Sequence, residues 1–344
     1  MVKACGCKKT SKTLFSLKRI LIIQTAFIGD VVLATGILEK LHQFYPDSRI
    51  DFLLRRGNEG LLAGHPFLNQ VIIWDKKKGK YSNLWRILKQ IRAEKYDLLV
   101  NLQRFAASGI ITSFSGARLK YGYRKNPFSF LFTKSFPHPI GKKDDKGYLH
   151  EIERNHALIS EFTDASPSKP KLYPSDNDFE AVKPYKTEPY ITISPASVWF
   201  TKQYPKGKWA ELIDGIHVKY NIYLTGGKTD IALCEEITGK TIHPNVVVLA
   251  GKLSFLQTAA LMQNAEMNYT NDSAPLHFAS AMDAPVTAVF CSTVPEFGFG
   301  PLSANSHIAQ INYDLDCRPC GLHGFKECPM GHFKCALDLV IQPK

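Results

Sequence analysis

The sequence predicts an α/β protein built as two Rossmann-like domains facing a cleft. Three observations carry that prediction. Short apolar runs, suited to buried parallel strands, alternate with helical stretches along the chain. The alternation stops in a proline-punctuated segment near the middle and then restarts. The length of 344 residues suffices for two domains of ordinary size.

Arg19-Ile20-Leu21-Ile22-Ile23-Gln24 opens the first half as a near-continuous apolar run, the pattern of a strand buried on both faces. Thr25-Ala26-Phe27-Ile28-Gly29-Asp30 turns from it into a helical pattern over residues 31–44, which Pro46-Asp47 ends. Further strands are expected at 49–54, 71–74, 97–102 and 119–123, with a helix at 81–95. Pro167, Pro170, Pro174, Pro184 and Pro189 then punctuate a polar stretch. Beyond it, strands are expected at 190–194, 221–224, 246–249, 267–270 and 286–290, and helices at 208–219, 230–238 and 255–263. The predicted division is a basic, flexible leader at 1–18, a first domain at 19–165, a linker at 166–189 and a second domain at 190–344. Ligands of such sheets bind beyond the carboxyl ends of the strands, so chemistry is sought in the turns that follow them.

The hydrophobic fraction of 44% and charged fraction of 22% are those of a globular soluble protein. No apolar run approaches the roughly 20 residues that span a bilayer. The basic N-terminus lacks the apolar core and cleavage site of a signal peptide, so a cytoplasmic location is expected. Charge is unevenly placed. Residues 1–150 hold 27 Lys+Arg against 10 Asp+Glu, and the remainder holds 16 against 21. A half carrying +17 suggests a polyanionic partner: nucleic acid, an anionic membrane surface or an acidic glycolipid.

The most informative segment is Thr270-Asn271-Asp272-Ser273-Ala274-Pro275-Leu276-His277, between two apolar runs. It reads as a strand, a tight turn and a helix start. A proline suits the first turn of a helix, and the unpaired N–H groups there attract an anion, phosphate above all. His277 would face the same ligand. A plain capped helix fits the segment as well. Four other turns follow strands. Gly29-Asp30 offers close backbone approach and a carboxylate that fits either a general base or a cap of its own helix. No G-x-G-x-x-G follows this strand, which argues against a dinucleotide site. Ser197, with Lys202 before Tyr204-Pro205, fits a phosphate site or a solvated loop. Gly226-Gly227-Lys228-Thr229-Asp230 permits close approach, and Asp230 fits ribose hydroxyls or a helix cap. Gly251-Lys252-Leu253-Ser254 brings Leu253 either over a base or into the core. Together these turns form a nucleotide-binding rim.

On these residues the chain resembles glycosyltransferase family 9, the ADP-heptose:lipopolysaccharide heptosyltransferases, over roughly residues 19–340. The segment from Asp272 to His277 is similar to the family's D-[ST]-G-x-x-H signature, with Ala274 where the family usually has glycine. The first turn carries Ala26 and Phe27 where the family often has two serines. The resemblance implies the glycosyltransferase-B fold and an inverting transfer of heptose from ADP-heptose that needs no metal for catalysis. It implies Asp30 as the base on the acceptor hydroxyl. Lys202 and Ser197 would hold the diphosphate, Gly227 and Asp230 the ribose side, and Leu253 the adenine. Asp272 would hold sugar hydroxyls, with Ser273, Ala274 and His277 lining the phosphate turn. The acceptor implied is an acidic glycolipid, Kdo-lipid A or heptosylated core, and the place of action is the cytoplasmic face of the inner membrane. Lys76, Lys77, Lys78, Arg104 and Arg124 are the acceptor-contact candidates, and Lys3, Lys8, Lys9, Lys12, Lys18 and Arg19 are candidates for the anionic leaflet. The same fold with another nucleotide sugar is the nearer alternative. Nucleic acid is not expected: Tyr121, Tyr123 and Phe128 beside Arg124 and Lys125 favour it slightly, but it leaves the rim unexplained.

Cys317, Cys320, Cys328 and Cys335 close the chain with a C-x2-C pair at metal-ligand spacing. A structural Zn²⁺ site fits them better than a disulfide in a cytoplasmic chain, and a structural use better than a catalytic one.

Overall fold

A computed structural model describes residues 16–76, 79–141, 143–144 and 147–343. The first half runs β1 (Arg19–Ile23), α1 (Ile28–Phe44), β2 (Arg49–Arg55), β3 (Leu68–Trp74), α2 (Lys80–Glu94), β4 (Leu98–Asn101), α3 (Ala106–Phe114), β5 (Leu119–Tyr123) and β6 (Lys134–Phe136). A two-stranded hairpin, β7 (Lys143–Asp144) and β8 (Gly147–Tyr148), leads into α4 (Glu151–Ala157). After α5 (Asp176–Val182) the second half runs β9 (Tyr190–Ser194), α6 (Lys206–Asp214), β10 (Asn221–Leu224), α7 (Ile231–Thr238), β11 (Val246–Val248), α8 (Phe255–Gln263), β12 (Met267–Asn271), α9 (Ala274–Ala281), β13 (Val286–Val289), β14 (Ser306–Ala309) and α10 (Lys334–Leu337).

The two six-stranded sheets are parallel and share one winding. Their orders are β3-β2-β1-β4-β5-β6 and β11-β10-β9-β12-β13-β14. Each sheet therefore reverses direction once, between β1 and β4 and between β9 and β12. A crevice opens at such a point beyond the strand ends. The central strands are apolar because both faces are covered. Ile20, Leu21, Ile22 and Ile23 are all fully buried. Each such side chain contributes roughly 1.5–3 kcal/mol by leaving water.

The first sheet has a different cover on each face. On one side α2 and α3 bury Leu84, Ile87, Ile91 and Ile111 against Leu21, Ile23, Leu53 and Leu99. On the other, α1 brings Val31, Val32 and Ile37 into one cluster with Leu276, Phe278 and Ala279 of the second half. The halves thus share a core as well as a cleft. The proline-rich segment is docked along the same seam. Lys171 N donates to Thr35 Oγ1 at 2.8 Å, and Tyr173 OH donates to Glu39 at 3.0 Å. Its helix α5 is held by the capping side chain of Ser175 and buries Val182.

The predicted helix at 208–219 stops at Asp214, because Gly215 follows and packs against Pro343. Strands β6 and β14 and helices α3 and α4 carry no run that the sequence reading singled out. Of the basic leader, residues 1–15, including Lys3, Lys8, Lys9 and Lys12, lie outside the described residues.

Candidate active site

The crevices of the two sheets meet in a cavity of about 290 Å³. The turn after β1 supplies Phe27, Gly29 and Asp30. The loop after β9 supplies Ser197, Trp199 and Lys202, and the turn after β12 supplies Asp272, Ser273, Ala274 and His277. Most of the catalytic and diphosphate residues expected from the sequence therefore line one space.

On the first wall, Asp30 sits in the opening turn of α1. Phe27 N donates to its Oδ2 at 3.1 Å, so the carboxylate caps its own helix and also opens onto the cavity. The two roles coexist. Burial within the cleft walls raises its pKa from the ordinary 3.8 to about 6, and the charge of Glu151 adds to this. The Phe27 N–H, Lys202 and Arg104 pull the other way. A carboxylate with a pKa of about 6 is a better proton acceptor than an ordinary one.

On the opposite wall, Lys202 Nζ lies 2.6 Å from Asp272 Oδ2. Thr293 Oγ1 donates to the same oxygen at 2.7 Å. Asn271, the last residue of β12, joins the two loops. It accepts from Tyr204 N at 2.9 Å and donates to Pro195 O at 2.7 Å. Helix α9 then starts without a side-chain cap. Ser273 is its N-cap, Pro275 stands in the first turn, and the Ser273 hydroxyl has no partner among the described residues. Free N–H groups and an unpaired hydroxyl at a helix start favour an anion. His277 is buried, and that burial drives its pKa down to about 3 despite the nearby Asp272 charge. Its ring is therefore neutral, and its Nδ1 has no partner among the described residues.

The walls come into close contact at Gly29. A Cβ on Gly29 would stand 2.6 Å from His277 Cδ2, so only glycine lets the two turns come this close.

Other predicted residues fall elsewhere. Asp230 accepts from Gly227 N at 2.7 Å and caps its own turn. Leu253 is half-buried against a core cluster of the second half. Gly251 N donates to Gly226 O at 2.9 Å, which sets these two turns side by side, outside the cavity lining. Lys76 Nζ donates to Thr25 O at 3.1 Å and braces the turn after β1. Arg104 follows β4 close enough for its charge to act on Asp30, whereas Arg124 is exposed at the end of β5. Lys77 and Lys78 lie outside the described residues.

The zinc expectation is not met. Among the described residues no group of three or more His, Cys, Asp or Glu side chains is placed to hold a metal ion. The four thiols lie near one another, with Cys317, Cys320 and Cys328 all acting on Cys335, but their contacts are to other groups. Cys320 Sγ donates to Cys317 O at 3.0 Å, Cys317 Sγ faces His332 Nε2 at 3.8 Å, and Cys335 is buried with Phe333 and Ala336. The segment instead delivers Leu322 and His323 to the cavity, pinned by Phe325 N donating to Thr201 Oγ1 at 2.8 Å.

Sequence reading also missed Arg55, Phe297 and Phe299 of the lining, and a clamp behind it. Glu151 and Arg154 of α4 are buried, with Arg154 Nε donating to Glu151 Oε2 at 2.7 Å and His138 Nε2 at 3.1 Å from the same oxygen. Burial alone would raise the Glu151 carboxyl, but His138 and Arg154 outweigh it and hold the group below its ordinary range. The clamp then crosses to the other half: Arg154 Nη2 donates to Phe297 O and Glu151 N to Gly298 O, both at 2.8 Å. Proximity of the chain ends of β6 and α4 to the cleft was the missing signal, and no local motif encodes it.

Solved structures place this architecture in a class. E. coli ADP-heptose lps heptosyltransferase II matches with a TM-score of 0.74 at 21% identity, over 88% of this chain and 95% of that one. An E. coli heptosyltransferase solved with ADP matches with a TM-score of 0.69 at 20% identity, over 84% and 92%. The fold is thus glycosyltransferase-B: two Rossmann-like domains across a cleft. Sequence narrows the class. The family model of glycosyltransferase family 9 (heptosyltransferase) matches residues 84–329. Lipopolysaccharide heptosyltransferase 3 of Escherichia coli is 30% identical over 288 residues, covering 78% of this chain and 82% of that protein. Lipooligosaccharide heptosyltransferase 2 of Campylobacter jejuni is 24% identical over 326 residues, covering 93% and 94%. The chain belongs to glycosyltransferase family 9 and is a glycosyltransferase.

Proposed function

We propose that this enzyme moves a heptose from ADP-heptose to the inner core of lipopolysaccharide or lipooligosaccharide, with inversion at the anomeric carbon. One observation carries the reading. A carboxylate with a pKa of about 6 faces, across a single cavity, a lysine and an uncapped helix start. The named activities of the relatives supply the sugar and the acceptor class.

Asp30 takes the proton of the acceptor hydroxyl as that oxygen attacks the anomeric carbon. The bond from that carbon to the diphosphate oxygen breaks, and ADP leaves with the electron pair. Lys202, released from Asp272, and the N–H groups of Ala274 and its neighbours neutralise the growing charge. Asp272, freed in turn, holds sugar hydroxyls. Neutral His277 contributes a hydrogen bond rather than a charge. Gly227, Asp230 and Leu253 border the adenosine side. The first half takes the acceptor, with Arg104, whose charge acts on the base, and Arg124 as candidate contacts. The protein works at the cytoplasmic face of the inner membrane, and no helix among the described residues is long and apolar enough to cross it.

The test is transfer from ADP-heptose to a heptose-deficient core acceptor, read by product mass beside a panel of other nucleotide sugars. A product gaining one heptose supports the reading. Transfer from another donor alone overturns the substrate and leaves the mechanism.

A further inference from the structure

The outer face of α2 and α3 is unlike an ordinary solvated surface. The inner side of α2 places Leu84, Ile87, Leu88 and Ile91 in the core. Its outer side should be polar throughout. Instead Trp85 is 63% exposed, flanked by Arg86, Lys89 and Arg92. A groove runs between the helices, lined by Trp85, Leu88, Lys89, Arg92 and Phe114, and Phe114 is itself 48% exposed. The Arg92 guanidinium donates to Phe114 O at 2.8 Å and fixes the end of α3 against α2.

The patch continues toward the cleft. Phe105 starts α3 and is 64% exposed, and Phe130, in the turn after β5, is 77% exposed. Asn126 Nδ2 donates to Phe105 O at 3.1 Å, which keeps that turn beside the start of α3. Arg104, one of the two cations that act on Asp30, adjoins Phe105 in the chain.

Charge on this part of the molecule has one sign. Residues 79–141 contain 11 Lys+Arg, and Glu94 and Asp97 are their only acids. Both acids are engaged, Glu94 with Arg19 and Asp97 with Arg118, each at 3.7 Å. Arg86, Lys89 and Arg92 form no ion pair among the described residues. Aromatic side chains set among cations without an ion pair on an exposed helical face match the boundary of an anionic bilayer. Rings enter the headgroup layer while basic groups stay with the lipid phosphates.

We infer that the α2–α3 face, with Trp85 and Phe114 as apolar contacts and Arg86, Lys89 and Arg92 as cations, docks the enzyme on an anionic lipid surface. These residues are distinct in sequence from the basic leader. Docking on this face would bring the start of α3, one nine-residue helix away from Phe114 and adjoining Arg104, near a membrane that holds a glycolipid acceptor. That purpose rests on the proposed function, but lipid binding itself needs neither donor nor acceptor.

The experiment is co-sedimentation of the full chain with vesicles of phosphatidylcholine alone and with about one-third phosphatidylglycerol, beside light scattering for oligomeric state. Two double variants are compared, Trp85→Ser with Phe114→Ser and Lys89→Glu with Arg92→Glu, after circular dichroism confirms folding. The wild type is expected to bind the anionic vesicles at least tenfold better than the neutral ones. Each double variant is expected to lose at least tenfold in binding, with transfer to a soluble de-acylated acceptor unchanged. Absence of wild-type binding overturns the inference, as does equal binding to neutral vesicles, or full binding by either variant. Loss of a dimer in the aromatic variant with lipid binding intact also overturns it and assigns the face to a second copy. Failure of heptose transfer with vesicle binding intact counts against the proposed substrate alone.

Discussion

Replacing Asp30 with asparagine is expected to stabilise the protein while it destroys turnover. Burial raises the Asp30 carboxyl from the ordinary 3.8 to about 6. The folded state therefore holds this proton more tightly than the unfolded chain does. Stability from the group is fully present below pH ~4 and is lost as pH rises through about 6. A difference of about two pKa units corresponds to roughly 2–3 kcal/mol of strain at neutral pH. Asparagine has no charge to desolvate, and its side-chain oxygen still accepts from Phe27 N, now 3.1 Å from the carboxylate. The cap survives. The assay is denaturant unfolding of wild type and Asp30→Asn at pH 4, 6 and 8. The variant should gain about 2–3 kcal/mol at pH 8 and almost nothing at pH 4. Turnover should fall on the order of 10²–10⁴-fold through loss of the base. Equal or lower stability of the variant at pH 8 would refute the electrostatic argument. Turnover within tenfold of wild type would remove Asp30 from its role.

Glu151→Gln removes a charge that raises Asp30, so the acid limb of kcat/KM should move to lower pH. It also leaves Arg154 without its carboxylate and should cost roughly 3–5 kcal/mol in thermal unfolding. Lys202→Met should weaken ADP binding about 10–100-fold by titration calorimetry, because the proposed charged hydrogen bond to the diphosphate would be lost. Gly298 has φ +82°, and a Cβ there would stand 2.2 Å from Leu149 O. Gly298→Ala should therefore loosen the seam between the halves, lowering the melting temperature and raising the radius of gyration in solution scattering.

What the sequence revealed tracks what local chemistry controls. Strands β1, β9 and β12 were legible because burial on both faces demands unbroken apolar runs. Edge strands β6 and β14 face solvent with Lys134, His307 and Ile308, so no such run forms. Helix α3 contains Ser108, Gly109, Thr112 and Ser113, poor helix formers held by packing rather than propensity. The turns bearing Asp30, Lys202 and Asp272 were legible because each directly follows a buried strand. Phe297, Phe299 and His323 were not. Hydrogen bonds to Arg154 and Thr201, far away in sequence, place their loops, and no local pattern encodes those bonds.

The proposed base draws its strength from both halves at once. Burial is the largest influence raising Asp30, and part of that burial is supplied by the second half through His277 and Phe297 across the cavity. Lys202, which lowers Asp30, comes from the second half too, but its effect is smaller. Opening the cleft would remove both influences. The larger one decides the direction, so an open cleft would lower the Asp30 carboxyl toward its ordinary range and leave a weaker base. Under the proposed mechanism, closure over both substrates would restore the raised pKa as Lys202 turns from Asp272 to the diphosphate. Donor bound alone in an open cleft would then meet water without an effective base, which limits wasteful hydrolysis. The clamp of Glu151 and Arg154 on residues 297 and 298 is one part of the seam between the halves, and Glu151 contributes its own charge to the same carboxylate.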